Sequence, residues 1–371
     1  MLIYFILYGL LILGAAVCFE TGALPDKQRA KKVFCVIGFI SIALFMSLRH
    51  PSSGLDIISR DEKIGYYDMF TYISKIPLKK CFTIHLANYE NGYIVLNKLL
   101  SFISKSPQIL IAFCGILQSA CVFTLIYKTS KKPFLSTIIY LALPCFLINL
   151  SGLRQSIAIS LTLIALLMIK EKKLIKFILL ILLAYTMHES SLIFIIAYPI
   201  YYVKQSAIWK FFSVVSIPTV YIFREPLFKV LSKIFKDDAT TQDTGAFTLF
   251  FVFTLMYIFL IVFTNKKSSL ANGCANLFYV ACLCQAFGGL YDTVLRVTYY
   301  FMISAIIGIP EILSKDSGDG VTLDYKYRTF FSVILSIVFI GYALYIFNDG
   351  VGNYPVQWFK TNPYVFFWQN P

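Results

Sequence analysis

Residues 153–188 read LRQSIAISLTLIALLMIKEKKLIKFILLILLAYTMH. Two apolar runs, 153–169 and 172–188, meet at Lys170, Glu171, Lys172 and Lys173. A helix needs about 20 apolar residues to cross the hydrocarbon of a bilayer, with a range of about 17 to 25. Each run is therefore read as a membrane helix, with the lysines at the shared end marking the cytoplasmic side. The opposite end of this hairpin carries Arg154 and Gln155 on one arm and His188 on the other, followed by Glu189.

Ten further segments pass the same test: 2–19, 33–48, 108–127, 134–150, 190–204, 208–223, 246–264, 272–290, 294–313 and 330–347. The 371 residues are 58% hydrophobic and 14% charged, too apolar for a soluble surface. The expectation is an all-α, polytopic membrane protein with about 12 transmembrane helices, forming a single membrane domain over 1–371. The stretch from Tyr93 to Ile103 is amphipathic and contains Asn97 and Lys98, so it reads as interfacial or re-entrant. No A-x-A-like site follows the first apolar segment and its basic cluster comes after it, so 2–19 reads as a retained helix.

With the N-terminus outside, Lys27, Arg29, Lys31, Lys32, Lys128, Lys131, Lys132, Lys204, Lys210, Lys266, Lys267, Lys326 and Arg328 join Lys170–Lys176 in the cytoplasm. The C-terminus then also faces outward. A large outward loop spans 49–92, a second 224–245, and the tail 348–371 lies on the same side. The formal net charge of +14 is thus a topology signal, and no nucleic-acid partner is implied. Of nine Cys, all except Cys81 lie within or at the end of apolar stretches, which reads as small buried hydrophobes and not as a disulfide framework or metal cage.

Polar residues that solubility does not explain collect at the outer helix ends: Arg49 and His50, Arg154 and Gln155, His188 and Glu189, Asp292 and Arg296. Ionisable groups at membrane depth cost about 2.5 to 3.5 kcal/mol at a helix centre, so they usually face a cavity or one another. The plainer readings are snorkelling for the arginines, an i to i+4 ion pair for Asp292 and Arg296, and an interfacial histidine beside an acid for His188. Against them, three isolated arginines on the outward side run counter to the basic bias of the cytoplasm. The planar guanidinium suits bidentate capture of phosphate, so Arg49, Arg154 and Arg296 are candidate pyrophosphate-binding residues. His188 is the candidate general base, with Glu189 to orient it and Asp56 in reserve. Loop 49–92 mixes acids with tyrosines, and Tyr66, Tyr67, Asp68 and Glu90, together with Gln155 and Asp292, are candidate sugar ligands. His85 reads as a loop residue of no special role. The KDDATTQD run at 236–243 lacks the register of a calcium loop. Without a P-loop, zinc spacing or nucleophile elbow, neither a cofactor nor a metal is expected.

Five stretches carry a family resemblance: SLRHPSSGLD at 47–56, YYDMF at 66–70, YENGY at 89–93, NLSGLRQSIAISLTLIAL at 149–166 and LAYTMHESSLIFIIAYPIY at 183–201. Together they resemble the Wzy-type polymerases of the EpsG-like branch, with Arg49, Gly54 and Asp56 matching the first motif and ISRDEKIG inserted before Tyr66. The resemblance implies an enzyme of the bacterial inner membrane, acting on the periplasmic or outer face. It would join undecaprenyl-diphosphate-linked oligosaccharides, as donor and acceptor, into O-antigen, capsule or exopolysaccharide, independently of nucleotide sugars. Membrane lipid and a chain-length regulator protein are the other partners expected. Two alternatives stay open: an O-antigen ligase, and a flippase or transporter for the lipid-linked unit.

Overall fold

In lipid every backbone N–H and C=O must be satisfied within its own segment. The computed structural model accordingly builds the chain from helices and describes residues 2–59, 63–84, 86, 89–235, 247–264, 268–290, 292–314, 323–347 and 364–369. His85, Asp61, Glu62, the 236–243 run and most of the 348–371 tail lie outside the described residues. Among those described, six helices are long and apolar enough to cross a membrane, and eight if each of two bent pairs counts as one span. The protein is a multi-pass, all-helical membrane protein.

The described residues pack into two compact units. The first holds residues 1–129, 133–192 and 336–371. Its helices are α1 (Leu2–Ala15, continued by a π turn, Ala16–Glu20), α2 (Lys27–Ser47), α3 (Tyr66–Lys75), α4 (Leu78–Cys81), α5 (Asn91–Ile103), α6 (Gln108–Thr129), α7 (Pro133–Ala142), α8 (Pro144–Ser151), α9 (Leu153–Lys170) and α10 (Leu174–Met187). The second unit holds residues 130–132 and 193–335. It contains α11 (Ala197–Tyr201), α12 (Ala207–Ile222), α13 (Arg224–Phe235), α14 (Phe247–Phe263), α15 (Ser269–Gln285), α16 (Asp292–Phe301) and α17 (Ala305–Leu313). A last helix, α18, runs from Tyr325 to Phe347.

Two sharp bends and a 3-10 stretch, Glu189–Ile196 in the expected span 190–204, depart from the expected pattern of straight spans. Segment 134–150 divides into α7 and α8, bent by 60°. Pro144 is the cause: it occupies the first position of α8 and drives Leu143 into extended backbone (φ −82°, ψ 146°). After α12 the chain turns by 79° into α13, so helix occupies much of the stretch expected as the 224–245 loop.

The 49–92 loop is folded onto its unit. Ile57, Tyr66, Phe70 and Tyr93 share one buried cluster with Leu110, Ile111, Cys114, Leu153 and Ile157. Helix α5 has 13 residues and carries Asn97 and Lys98, and unlike the 14-residue α10 it is not among the apolar helices of the structure. Its buried Lys98 donates to the Ser74 carbonyl at 2.8 Å, capping the end of α3.

Candidate active site

Glu90 is the residue that brings Arg154 and His188 together. It immediately precedes α5, in extended backbone, and makes no capping bond to its own helix. Its carboxylate reaches α9 and the end of α10 instead. Oε2 accepts from Arg154 Nη1 at 2.7 Å, and Oε1 accepts from His188 Nδ1 and from the Glu189 backbone N–H, both at 3.0 Å.

Local structure explains each approach. Arg154 is the second residue of α9, just after Gly152 and Leu153, so its side chain stands in the first turn. His188 ends α10 with φ −159° and ψ 119°, extended backbone that turns the imidazole away from the helix. Gly92 sets the spacing between α5 and α10. A Cβ there would lie 2.3 Å from Thr186 Oγ1 and 2.7 Å from the Thr186 carbonyl, so only glycine lets the two helix ends come this close.

Tyrosines surround the arginine. Its guanidinium carbon lies 4.8 Å from the Tyr89 ring centroid, and Arg154 also hydrogen-bonds the Tyr66 hydroxyl. Tyr89 and Tyr93 stack with centroids 5.9 Å apart, and Tyr66 meets Tyr93 edge-on at 5.9 Å. Burial alone would raise the Glu90 pKa, but the bonds from His188 and the Glu189 amide and the charge of Arg154 outweigh it and hold the carboxyl at about 2. Glu90 is therefore ionised at neutral pH. An ionised acceptor 3.0 Å from Nδ1 places the imidazole proton on Nδ1, leaving Nε2 to accept one. Burial pushes the Tyr66 hydroxyl up to about 12, against the opposing pull of Arg154, so it stays protonated.

The expectation that Glu189 orients His188 is corrected by this geometry. Glu189 opens a 3-10 helix with its side chain exposed, and it touches the site only through its backbone N–H. Glu90, expected to bind sugar, holds the imidazole. Asp56 is exposed on the loop, close enough to act electrostatically on Tyr66 and Tyr89, and its carbonyl accepts the Tyr66 N–H at 3.0 Å. Gln155 is buried beside Arg154 on α9.

Arg49 does different work. It is 2% exposed, and its Nη1 donates to the Ser53 carbonyl, closing the start of the loop. Gly54, at φ +133°, permits that closure: a Cβ would meet the Leu150 carbonyl at 2.4 Å and Arg49 Nη1 at 3.3 Å. Tyr67 belongs to the same construction, donating at 2.5 Å to Gln108, whose amide donates to the Ser47 and Arg49 carbonyls at 2.9 and 3.0 Å. Asp68 accepts from Ser59 and so fixes the turn into α3. Arg296 is exposed on α16 of the second unit, and the Asp292 side chain lies outside the described residues. Among the described residues, no three His, Cys, Asp or Glu side chains gather closely enough to hold a metal ion.

Sequence reasoning missed Tyr89 as the platform under Arg154 and Gly92 as the spacer. Both sit in the YENGY stretch at 89–93. Comparison with curated proteins and with solved structures gives no match. One protein-family model, described as the EpsG family, matches residues 32–366.

Proposed function

The chain belongs to the EpsG family, and from that premise we propose that it is a Wzy-type polymerase joining lipid-diphosphate-linked oligosaccharide repeat units into a polysaccharide. The observation that carries the reading is one carboxylate, Glu90, bound at once to a half-buried arginine and to a histidine. It couples a group fitted to phosphate with a group fitted to take a proton.

In this mechanism a hydroxyl of one lipid-linked unit attacks the anomeric carbon of another. The new glycosidic C–O bond forms as the bond to pyrophosphate breaks, and lipid diphosphate leaves with the bonding pair. His188 Nε2 takes the hydroxyl proton, and Glu90 stabilises the imidazolium through Nδ1–H. Arg154 has five N–H donors, enough to keep Glu90 on one edge while another meets the charge gathering on the pyrophosphate. Arg49 is assigned a lesser role at the same lipid diphosphate, chiefly as the clamp of the loop. Asp56, Tyr66 and Gln155 are assigned to the sugars. Tyr67 and Asp68 act indirectly, by shaping the loop.

The further elements of the proposal are twelve crossings, both termini outward, a site facing the periplasm or exterior of the bacterial inner membrane, undecaprenyl diphosphate as the carrier, a chain-length regulator as partner, and no metal. The test is reconstitution of the purified protein with a synthetic undecaprenyl-diphosphate-linked repeat unit as sole substrate. The proposal expects a ladder of oligomers, released lipid diphosphate and no loss on adding EDTA. Transfer only to added lipid A core would make it a ligase.

A further inference from the structure

The last carbonyls of a helix have no partner within it, and at the end of α2 two carbonyls are met from far along the chain. Residues 364–369, YVFFWQ, lie against residues 45–50 inside the first unit. Tyr364 donates its hydroxyl to the Phe45 carbonyl at 2.7 Å, and the Phe367 N–H donates to the Leu48 carbonyl at 2.9 Å. In return the His50 N–H donates to the Val365 carbonyl at 2.7 Å. The two backbone bonds flank Arg49 and Phe366, an antiparallel bridge whose side chains stand side by side. Rings complete the contact: Tyr364 stacks on Phe45 at 4.8 Å and meets Tyr4 of α1 edge-on at 6.4 Å.

The plainer reading is an interface anchor. Phe367 and Trp368 are exposed by 45 and 59%, and such rings suit the aromatic belt of a membrane surface. An anchor needs the rings alone. The backbone bonds of this segment go instead to residues 48–50, where the loop of the candidate site begins.

From residue 49 a bonded course runs to the site. Arg49 donates to the Ser53 carbonyl, and the Leu55 N–H donates to Ser151 Oγ at 3.0 Å, just ahead of α9. The Asp56 carbonyl then accepts the Tyr66 N–H at 3.0 Å, and the Tyr66 hydroxyl bonds Arg154. A displacement at residues 48–50 is therefore passed along the loop to the arginine.

We infer that residues 364–369 form a strap that positions Tyr66, and through it Arg154, for polymerisation, with Tyr364 as the positioning residue of the strap. The inference rests on the polymerase reading and adds to that site a part remote from it in sequence.

The test compares the full chain with a variant lacking 364–371, each with and without Tyr66→Phe, reconstituted with a lipid-diphosphate-linked repeat unit. Hydrogen exchange across residues 48–53 is followed in the same preparations. The deletion is expected to speed exchange there and to cut the initial rate by about 10²-fold, the scale of a misplacement near 1 Å. In the Tyr66→Phe background it should cost less than about twofold more, because the link it acts through is already gone. Tyr364→Phe, which keeps the ring and drops one bond, should lose a smaller share of the rate, and Trp368→Ala should match the wild type. An equal loss from the deletion in both backgrounds would mark a general loss of fold and overturn the inference. So would a wild-type rate after deletion, unchanged exchange, or a loss in Trp368→Ala equal to that of the deletion, which would make the segment an anchor. No polymer from the wild type itself would instead sink the polymerase reading, and this inference with it.

Discussion

Glu90 accepts three hydrogen bonds, and its replacement by glutamine separates their roles. A carboxamide can still accept the Glu189 N–H, but it can neither neutralise Arg154 nor stabilise an imidazolium. Glu90→Gln is expected to cut the initial polymerisation rate by about 10²-fold, the scale of a general-base contribution. Glu189→Gln should remain near wild type, because only its backbone enters the site. Comparable loss in both variants, measured at matched membrane levels, would return the orienting role to Glu189. Arg154→Lys keeps the charge but loses the planar fork over Tyr89, and it should lose most activity. The depressed Glu90 pKa also has a sign. Its contribution to stability is complete above the ordinary carboxylate value of 4.5 and is lost as pH falls through about 2. Thermal unfolding of the wild type and of Glu90→Gln, compared in acid, should therefore converge across that window.

At the scale of elements, the site depends on how closely α5 approaches α10. Gly92→Ala would place a methyl group against Thr186 and push the start of α5 away from the end of α10, separating Glu90 from His188 while leaving each residue's chemistry intact. The expected result is loss of polymer with normal insertion and expression, and full activity would remove Gly92 from the account. The sequence showed α5 as amphipathic and non-spanning because Asn97 and Lys98 interrupt its apolar run. It also carried the signal for the break between α7 and α8, in Pro144, but hydropathy averages over a proline and reads one straight span. The pairing of His188 with Glu90 was not legible. Their 98-residue separation carries no period, whereas the adjacent Glu189 looked like the natural partner until the helix break at 188 turned the two side chains apart.

For the whole molecule, charge sorting and apolar length were enough to read a multi-pass helical protein. The number of crossings was harder to read, since α10 and α14 have only 14 and 17 residues and several spans bend. The proposed orientation makes a direct prediction. A cysteine introduced at Ser59 should be labelled by an impermeant maleimide in intact cells, and one at Lys172 only after permeabilisation. The native background should be low, because eight of the nine cysteines are buried and Cys284 is half-buried. The opposite pattern would invert the topology.

The most direct test of the central claim is glycan laddering in cells deleted for this gene and complemented with wild type, Glu90→Gln, Arg154→Ala or His188→Ala, at equal membrane levels. The account predicts a ladder with wild type and, with all three variants, a single repeat unit on lipid A or its lipid-linked monomer equivalent. Full ladders from the variants, or a deletion strain that still builds polymer on lipid diphosphate but fails to transfer it, would contradict the account.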